Sequence, residues 1–65
     1  MSVDILGAIK LHAEGHIAKH RANVDMYLEN PVGIGEHSDI IQAVEDELEE
    51  IAAWDEKLEI INKYF

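Results

Sequence analysis

The sequence predicts an all-α protein in which two helices fold back on each other as an antiparallel hairpin. Apolar residues recur alternately three and four positions apart along both halves of the chain, which is the spacing of one helix face. The single proline, Pro31, lies between these halves, close to Gly33 and Gly35. Apolar residues make up 48% of the chain, which is too many for a disordered segment. All 65 residues are therefore predicted to form one helical-hairpin domain.

The first helix is predicted at about residues 3–29. Ser2 is a suitable N-cap residue, and Asp4 would interact favourably with the helix dipole in the first turn. One row of the helix, which we call its seam, is expected to face the second helix. The seam residues of the first helix are Val3, Leu6, Lys10, Ala13, Ile17, His20, Val24 and Tyr27.

Residues 30–38 are predicted to connect the helices, because proline disfavours a helical residue before it and glycine tolerates positive φ. The second helix is predicted at about residues 39–63. Ser38 or Asp39 can cap it, and Gln42 follows Asp39 at the spacing of a capping box. The seam residues of the second helix are Ile40, Val44, Glu47, Ile51, Trp54, Leu58, Ile61 and Phe65.

The two seams match each other when the chain folds back at the connection. Residues at the same level of the hairpin then have numbers that add to 67 or 68, from Tyr27 with Ile40 to Val3 with Phe65. The smallest seam residue, Ala13, faces the largest, Trp54, as close packing requires. The polar seam residues His20 and Glu47 also face each other, so we expect them to form a hydrogen-bonded pair.

A lone two-helix hairpin leaves apolar residues beside the seams uncovered. A chain of this size buries only about 60% of its unfolded surface, so it usually needs a disulfide, a metal or a partner chain. The chain has no cysteine. We therefore predict a homodimer that forms a four-helix bundle, while a larger assembly or docking onto another protein would meet the same need. The uncovered apolar residues are Ile5, Ile9, Ile41, Leu48 and Ala52.

The charge of the chain restricts its partners. Fourteen Asp and Glu residues against five Lys and Arg give a net charge of −9, which argues against binding nucleic acid. The start of the chain lacks the basic and apolar regions of a signal peptide, and no apolar run approaches the roughly 20 residues of a membrane span. These features predict a soluble, intracellular protein that does not bind membranes.

Three histidines, His12, His16 and His20, lie four residues apart and would form a ladder along one face of the first helix. Glu47 and Glu50 lie opposite the last two of them. Two imidazoles and two carboxylates could bind Zn²⁺ or a first-row transition ion such as iron, so the candidate metal ligands are His16, His20, Glu47 and Glu50. Neither the Glu-x-x-His pairs of di-iron bundles nor the His-Glu-x-x-His pattern of zinc hydrolases is present.

The simpler interpretation of the histidines is structural. His20 and Glu47 would form a buried pair that fixes the register of the helices, and His12 and His16 would bind carboxylates near the interface. No catalytic residue is predicted, so the protein is expected to be non-enzymatic. A further alternative follows from the acidic run EDELEE, which would allow the protein to inhibit a nucleic-acid-binding protein by occupying its basic surface.

Two segments carry a resemblance to a known class of proteins: YLENPVGIGEHSDI, and NKYF at the C-terminal end of the sequence. The chain resembles the small acidic proteins encoded by large contractile-tailed phages of marine bacteria, notably cyanophages. The resemblance implies a phage accessory or structural protein, located in the host bacterial cytoplasm or in the virion. It implies no activity, cofactor or site residue.

Overall fold

The computed structural model describes residues 3–29 and 39–65. Two α-helices of 25 residues each, α1 (Ile5–Glu29) and α2 (Ile40–Tyr64), pack against each other, and no strand occurs in these two ranges. The all-helical hairpin predicted from the sequence is thereby confirmed. The predicted connection at 30–38 and the predicted caps Ser2 and Ser38 lie outside the described residues.

The first helix starts two residues later than predicted, and the reason is its cap. Asp4 precedes the helix, and its side chain accepts a hydrogen bond from the backbone N–H of Gly7 at 2.8 Å. Its carbonyl oxygen accepts the backbone N–H of Ala8 at 3.1 Å. The prediction that Asp4 lies inside the first turn is therefore wrong, because Asp4 instead satisfies backbone donors that the helix itself leaves free.

The second helix begins as predicted with Asp39 as its N-cap. Asp39 has an extended backbone (φ −80°, ψ 94°), and its carboxylate accepts the backbone N–H of Gln42 at 3.0 Å. The reciprocal half of the predicted capping box is wrong, because the Gln42 side chain donates forward to Asp46 at 2.9 Å. At the other end, the backbone N–H of Phe65 bonds to the carbonyl of Ile61, and Lys63 places a positive charge in the last turn.

The seams predicted from the spacing face each other over most of the hairpin. Ala13 is completely buried and Ile61 is 8% exposed, while the other central seam residues are half-buried. The outermost predicted pair is wrong, because Val3 and Phe65 are 81% and 84% exposed. Both lie just outside the helices, where no further turn of the opposite helix covers them. The half-buried seam residues are Lys10, Ile17, His20, Val24, Tyr27, Ile40, Val44, Glu47, Ile51, Trp54 and Leu58.

The hairpin is long and thin, with dimensions of 53 × 21 × 15 Å. Its radius of gyration is 15.3 Å, whereas a compact domain of this length has one of about 11 Å. Each helix is covered on one side only, so many large apolar side chains remain exposed. Neither described helix contains an apolar stretch long enough to cross a membrane. The most exposed of the large apolar side chains inside the helices are Ile5, Leu11, Met26, Leu28, Ile41 and Tyr64, at 65–73%.

Candidate functional site

A pair of polar side chains joins the two helices near the middle of the hairpin. His20 Nδ1 on α1 lies 2.5 Å from Glu47 Oε2 on α2, although the two residues are 27 positions apart in the chain. Their side chains are 13% and 18% exposed. The predicted facing of His20 and Glu47 is therefore confirmed, and the short contact indicates a hydrogen bond that the imidazole donates to the carboxylate.

A third side chain completes this pair. Asn23, one turn after His20 on α1, donates its amide to both carboxylate oxygens of Glu47 at 3.2 Å. The hydrogen bonds from His20 and Asn23 lower the pKa of Glu47 below its ordinary value of 4.5, the His20 bond most, while partial burial acts in the opposite direction. Glu47 is therefore held ionised by two donors from the other helix.

A second carboxylate approaches the same imidazole from α2. Glu50 Oε2 lies 3.9 Å from His20 Nε2, which is too far for a direct hydrogen bond, and the Glu50 side chain is 55% exposed. His20 thus lies between one carboxylate that it contacts directly and another at the edge of solvent. This arrangement gives His20 two negatively charged neighbours.

The next histidine along the ladder packs against an aromatic ring. His16 stacks on Trp54 with ring centroids 4.4 Å apart and an angle of 15° between the rings. His12 meets the same indole edge-on at 5.0 Å and His16 at 4.5 Å, and Lys57 Nζ lies 4.5 Å from the Trp54 ring centroid. Trp54 therefore anchors a cluster of two imidazoles and one ammonium group.

The predicted contact of His16 with a carboxylate near the interface stays a prediction. His16 Nδ1 is buried and has no hydrogen-bond partner. Partial burial lowers the pKa of His16 below its ordinary value of 6.5, and repulsion from His12, His20 and Lys19 adds to this, while Glu50 acts against it. The stack on Trp54 thus holds the His16 ring in a place where protonation is disfavoured.

The four candidate metal ligands are only partly brought together. His20, Glu47 and Glu50 are neighbours, but both oxygens of Glu47 and Nδ1 of His20 already bond to each other or to Asn23. Within residues 3–29 and 39–65, no group of three or more His, Asp or Glu side chains is arranged to hold a metal ion. Binding a metal at His16, His20, Glu47 and Glu50 would require these side chains to rearrange, and the metal site stays a prediction.

The cluster contains acids and bases, and none of its described residues is a cysteine, serine or threonine. The chain has no cysteine or threonine, and its only serines are Ser2 and Ser38. What the observed geometry does directly is to join two helices by polar contacts in a fixed register.

Sequence reasoning missed Asn23 and the stack of His16 on Trp54. Asn23 lies three residues after His20, so the helical period already placed it beside the predicted pair.

Comparisons of the chain with protein-family models, curated proteins and solved structures found no match.

Proposed function

We propose that the protein works through protein–protein contacts, as a non-enzymatic homodimer in which two hairpins form a four-helix bundle. Self-association would cover the apolar side chains that each hairpin leaves in solvent. In this proposal, the His20–Glu47 pair keeps the two helices of each hairpin in register, because a one-turn slip would separate both groups from their partners.

The observation that carries this proposal is the near absence of a core. Among the described residues, only Ala13 and Ile61 are buried, while twelve large apolar side chains are 37–84% exposed. A monomeric domain rarely leaves so much apolar surface in water unless that surface binds something. A second hairpin offers the same uncovered rows and can close the assembly by two-fold symmetry.

Sedimentation equilibrium tests the proposal directly. We expect the mass of two chains at micromolar concentration, with helicity by circular dichroism falling on dilution as the dimer dissociates. Native mass spectrometry under metal-retaining conditions would give the number of chains and any bound ion together. A helical monomer at all concentrations would contradict the proposal.

A metal-binding bundle is a second candidate, with ligands drawn from His16, His20, Glu47 and Glu50. It is supported by the 3.9 Å approach of Glu50 to His20 and by the unpartnered Nδ1 of His16. The test is metal analysis of protein purified without a histidine tag, combined with melting curves in added Zn²⁺ or Fe²⁺. Absence of stoichiometric metal, together with an unchanged melting temperature, would reject this candidate.

The acidic surface of α2 supports a third candidate, inhibition of a nucleic-acid-binding protein of the host. Eight Asp and Glu residues lie within Ile40–Tyr64, against two lysines. Complexes held by such charges weaken as ionic strength rises. Capture from host lysate should therefore succeed at low salt and fail at high salt, with loss of nucleic-acid binding by the captured protein as the confirming measurement.

We further propose, from the resemblance to phage proteins, that the dimer is an accessory or structural component of a large contractile-tailed phage. It would act in the host cytoplasm or be part of the virion. Quantitative mass spectrometry separates these locations, since a virion component stays with purified particles whereas a cytoplasmic protein remains in the lysate. Absence from both fractions of infected cells would contradict the proposal.

A further inference from the structure

The hairpin has two long flanks, and their side chains differ in charge pattern. One flank, which we call the histidine face, carries side chains that contact the polar cluster or Trp54: His12, His16, Asn23, Glu50 and Lys57. Each of these five residues directly precedes a seam residue, so it lies about 100° round the helix from that residue. The other residues that directly precede a seam residue belong to the same face, among them Ile9, Lys19 and Asp46.

The opposite face consists of residues that directly follow a seam residue, so they lie about 100° round the helix from it in the other direction. It also includes the neighbouring outer row, which is the row of residues farther from the other helix of the hairpin. We define it by Glu14, Arg21 and Asp25 on α1 and by Glu45, Leu48 and Asp55 on α2. All six of these residues are exposed. A second hairpin could dock on either face, and the charges distinguish the two possibilities.

Two-fold symmetry about an axis along the helices determines which residues would meet. In that arrangement, the connections of the two hairpins lie at the same end of the dimer. Each α1 packs beside the α2 of the partner subunit, and the heights of the residues along these two helices match as they do within one hairpin. The observed contact of His20 with Glu47 fixes these levels within one chain. The same levels therefore apply between the two chains.

On the histidine face, this arrangement brings unlike side chains together. Lys19 lies within one helical turn of Asp46 of the partner subunit, and His16 lies within one turn of Glu50 of the partner subunit. Ile9 lies within one turn of Lys57 of the partner subunit, whose aliphatic stem can cover it. No pair of like charges occurs at these levels of the described helices.

The outer row of the histidine face adds an apolar contact at the open end of the hairpin. Ile5 and Ile60 are 65% and 44% exposed and lie within one helical turn of each other in height, and Tyr64, which is 66% exposed, lies one turn beyond Ile60. In the symmetric dimer, Ile5 would meet Ile60 of the partner subunit. The apolar residues would therefore be buried at the same time as the opposite charges meet.

On the opposite face, the same arrangement brings acids together. Glu14 would lie within one helical turn of Asp55 of the partner subunit, and Asp25 within one turn of Glu45 of the partner subunit. Arg21 also lies within one turn of that Glu45, so it offsets the second pair but not the first. Like charges at such positions are destabilising, and the symmetry would repeat each pair twice.

Four exposed apolar side chains also lie on this face, with Leu28 and Ile41 at the connection end and Leu11 and Leu48 farther along the helices. Leu48 would lie within one turn of Arg21 of the partner subunit, and Leu11 within one turn of Glu59 of the partner subunit, so these two leucines would meet charged side chains.

We infer that a second copy of this chain docks on the histidine face, with both connections at one end and Lys19 meeting Asp46 of the partner subunit. This inference rests on the proposed self-association and adds to it the surface and the relative orientation of the two chains. The three-histidine ladder and Trp54 would then lie along the dimer interface.

Cysteine cross-linking tests the surface, because the natural chain has no cysteine. Chains carrying Ile9→Cys are mixed with chains carrying Lys57→Cys, unfolded, refolded and oxidised gently. A disulfide forms only where the two Cα atoms come within about 7 Å. We expect the mixed cross-linked dimer to form several-fold more than in a control mixture of Glu14→Cys and Asp55→Cys, which pairs the opposite face.

The control mixture is a stringent one, because it removes the two acids whose repulsion argues against the opposite face. Sedimentation equilibrium of the natural chain accompanies the experiment. A monomer would contradict the proposed self-association itself. A dimer with the control pair cross-linked, or with neither pair cross-linked, would overturn only the inferred surface or orientation.

Charge reversal gives a second test that does not depend on oxidation. Lys19→Glu places an acid opposite Asp46 of the partner subunit at two symmetric sites, so the dimer Kd should rise about fivefold at low salt. Combining it with Asp46→Lys should restore the natural Kd. Arg21→Glu makes the same change in net charge on the opposite face and should leave the Kd unchanged; an equal rise for Arg21→Glu would overturn the inference.

Discussion

His20 donates a 2.5 Å hydrogen bond to Glu47 across the two helices, and this contact fixes the register of the whole hairpin. Sliding one helix by a turn relative to the other would move the imidazole about 5.4 Å away from the carboxylate. The side chains of His20 and Glu47 are mostly buried. After such a slip, each would lose its hydrogen-bond partner, and water would replace that partner only in part. The pair therefore selects one register among several that apolar contacts alone would permit.

The pair predicts a specific result from a double-mutant cycle. His20→Leu alone leaves the Glu47 carboxylate beside an apolar side chain with only Asn23 as a donor, and should lower the free energy of unfolding by about 1 kcal/mol. Adding Glu47→Leu should recover most of that loss, because two leucines at facing seam positions can pack together. Urea unfolding at fixed protein concentration measures each variant.

The control for this cycle is Glu50→Leu combined with His20→Leu. Glu50 is 55% exposed and forms no direct hydrogen bond to His20, so its removal should recover little. Equal stability of the His20→Leu single variant and the His20→Leu, Glu47→Leu double variant would count against a coupled pair.

The register could be predicted from the sequence because helix geometry fixes direction. A residue's angle around the helix follows from its number alone, so the alternating spacing of three and four identified both seams. The polar residues that interrupt the seams then aligned the two helices, because His20 and Glu47 fall at the same level of the hairpin. The ends of the hairpin deviate because Val3 and Phe65 lie outside the helices, where this geometry no longer applies.

The side-chain partners within the cluster were harder to predict, because several acceptors or rings lie within reach of one residue. Gln42 can reach back to its cap or forward to Asp46, and it donates forward. His16 can approach a carboxylate or an aromatic ring, and it stacks on Trp54. Rotamer choice among such neighbours depends on packing that spacing does not determine.

The lowered pKa of His16 predicts how stability depends on pH near neutrality. The unfolded chain protonates this imidazole at about its ordinary value of 6.5, whereas the folded chain resists protonation. The stabilising contribution is therefore complete above that value and is lost as pH falls through it toward the lower folded value. Urea unfolding at pH 7.5 and pH 5.5 should show lower stability at pH 5.5, with a smaller difference in His16→Gln.

His12→Gln is the matched control for this prediction, because His12 belongs to the same ladder but is exposed. It should reduce the pH dependence less than His16→Gln. If His12→Gln reduced the pH dependence of stability more than His16→Gln does, the effect would belong to His12 and the prediction for His16 would be wrong. Ring proton shifts of His16 followed by NMR should independently give an apparent pKa below 6.5.

The lowered pKa of Glu47 predicts a separate loss of stability in acid. The ionised carboxylate is stabilised in the folded chain, so this contribution is present above the ordinary value of 4.5 and is lost as pH falls through the lower folded value. Melting temperatures between pH 5.5 and pH 3 should therefore fall less steeply in Glu47→Gln than in the natural chain. Glu50→Gln makes the same charge change without those hydrogen bonds and should keep the natural slope.

The N-cap of α2 predicts a local loss of stability. Asp39→Ala removes the acceptor of the Gln42 backbone N–H and should lower the free energy of unfolding by about 1 kcal/mol. Asp39→Asn keeps an acceptor in the same place and should retain most of the natural stability. If Asp39→Asn were as unstable as Asp39→Ala, charge at the helix end, rather than the hydrogen bond, would explain the effect.

Two glycines within α1 predict opposite responses to the same substitution. A Cβ added at Gly15 meets nothing within 4 Å, so Gly15→Ala should raise the free energy of unfolding by about 1 kcal/mol through helix propensity. A Cβ added at Gly7 would overlap the Asp4 carboxylate and displace that cap, so Gly7→Ala should gain little or nothing. Urea unfolding of both variants at one protein concentration distinguishes them, and an equal gain would show that the Asp4 cap contributes nothing to α1.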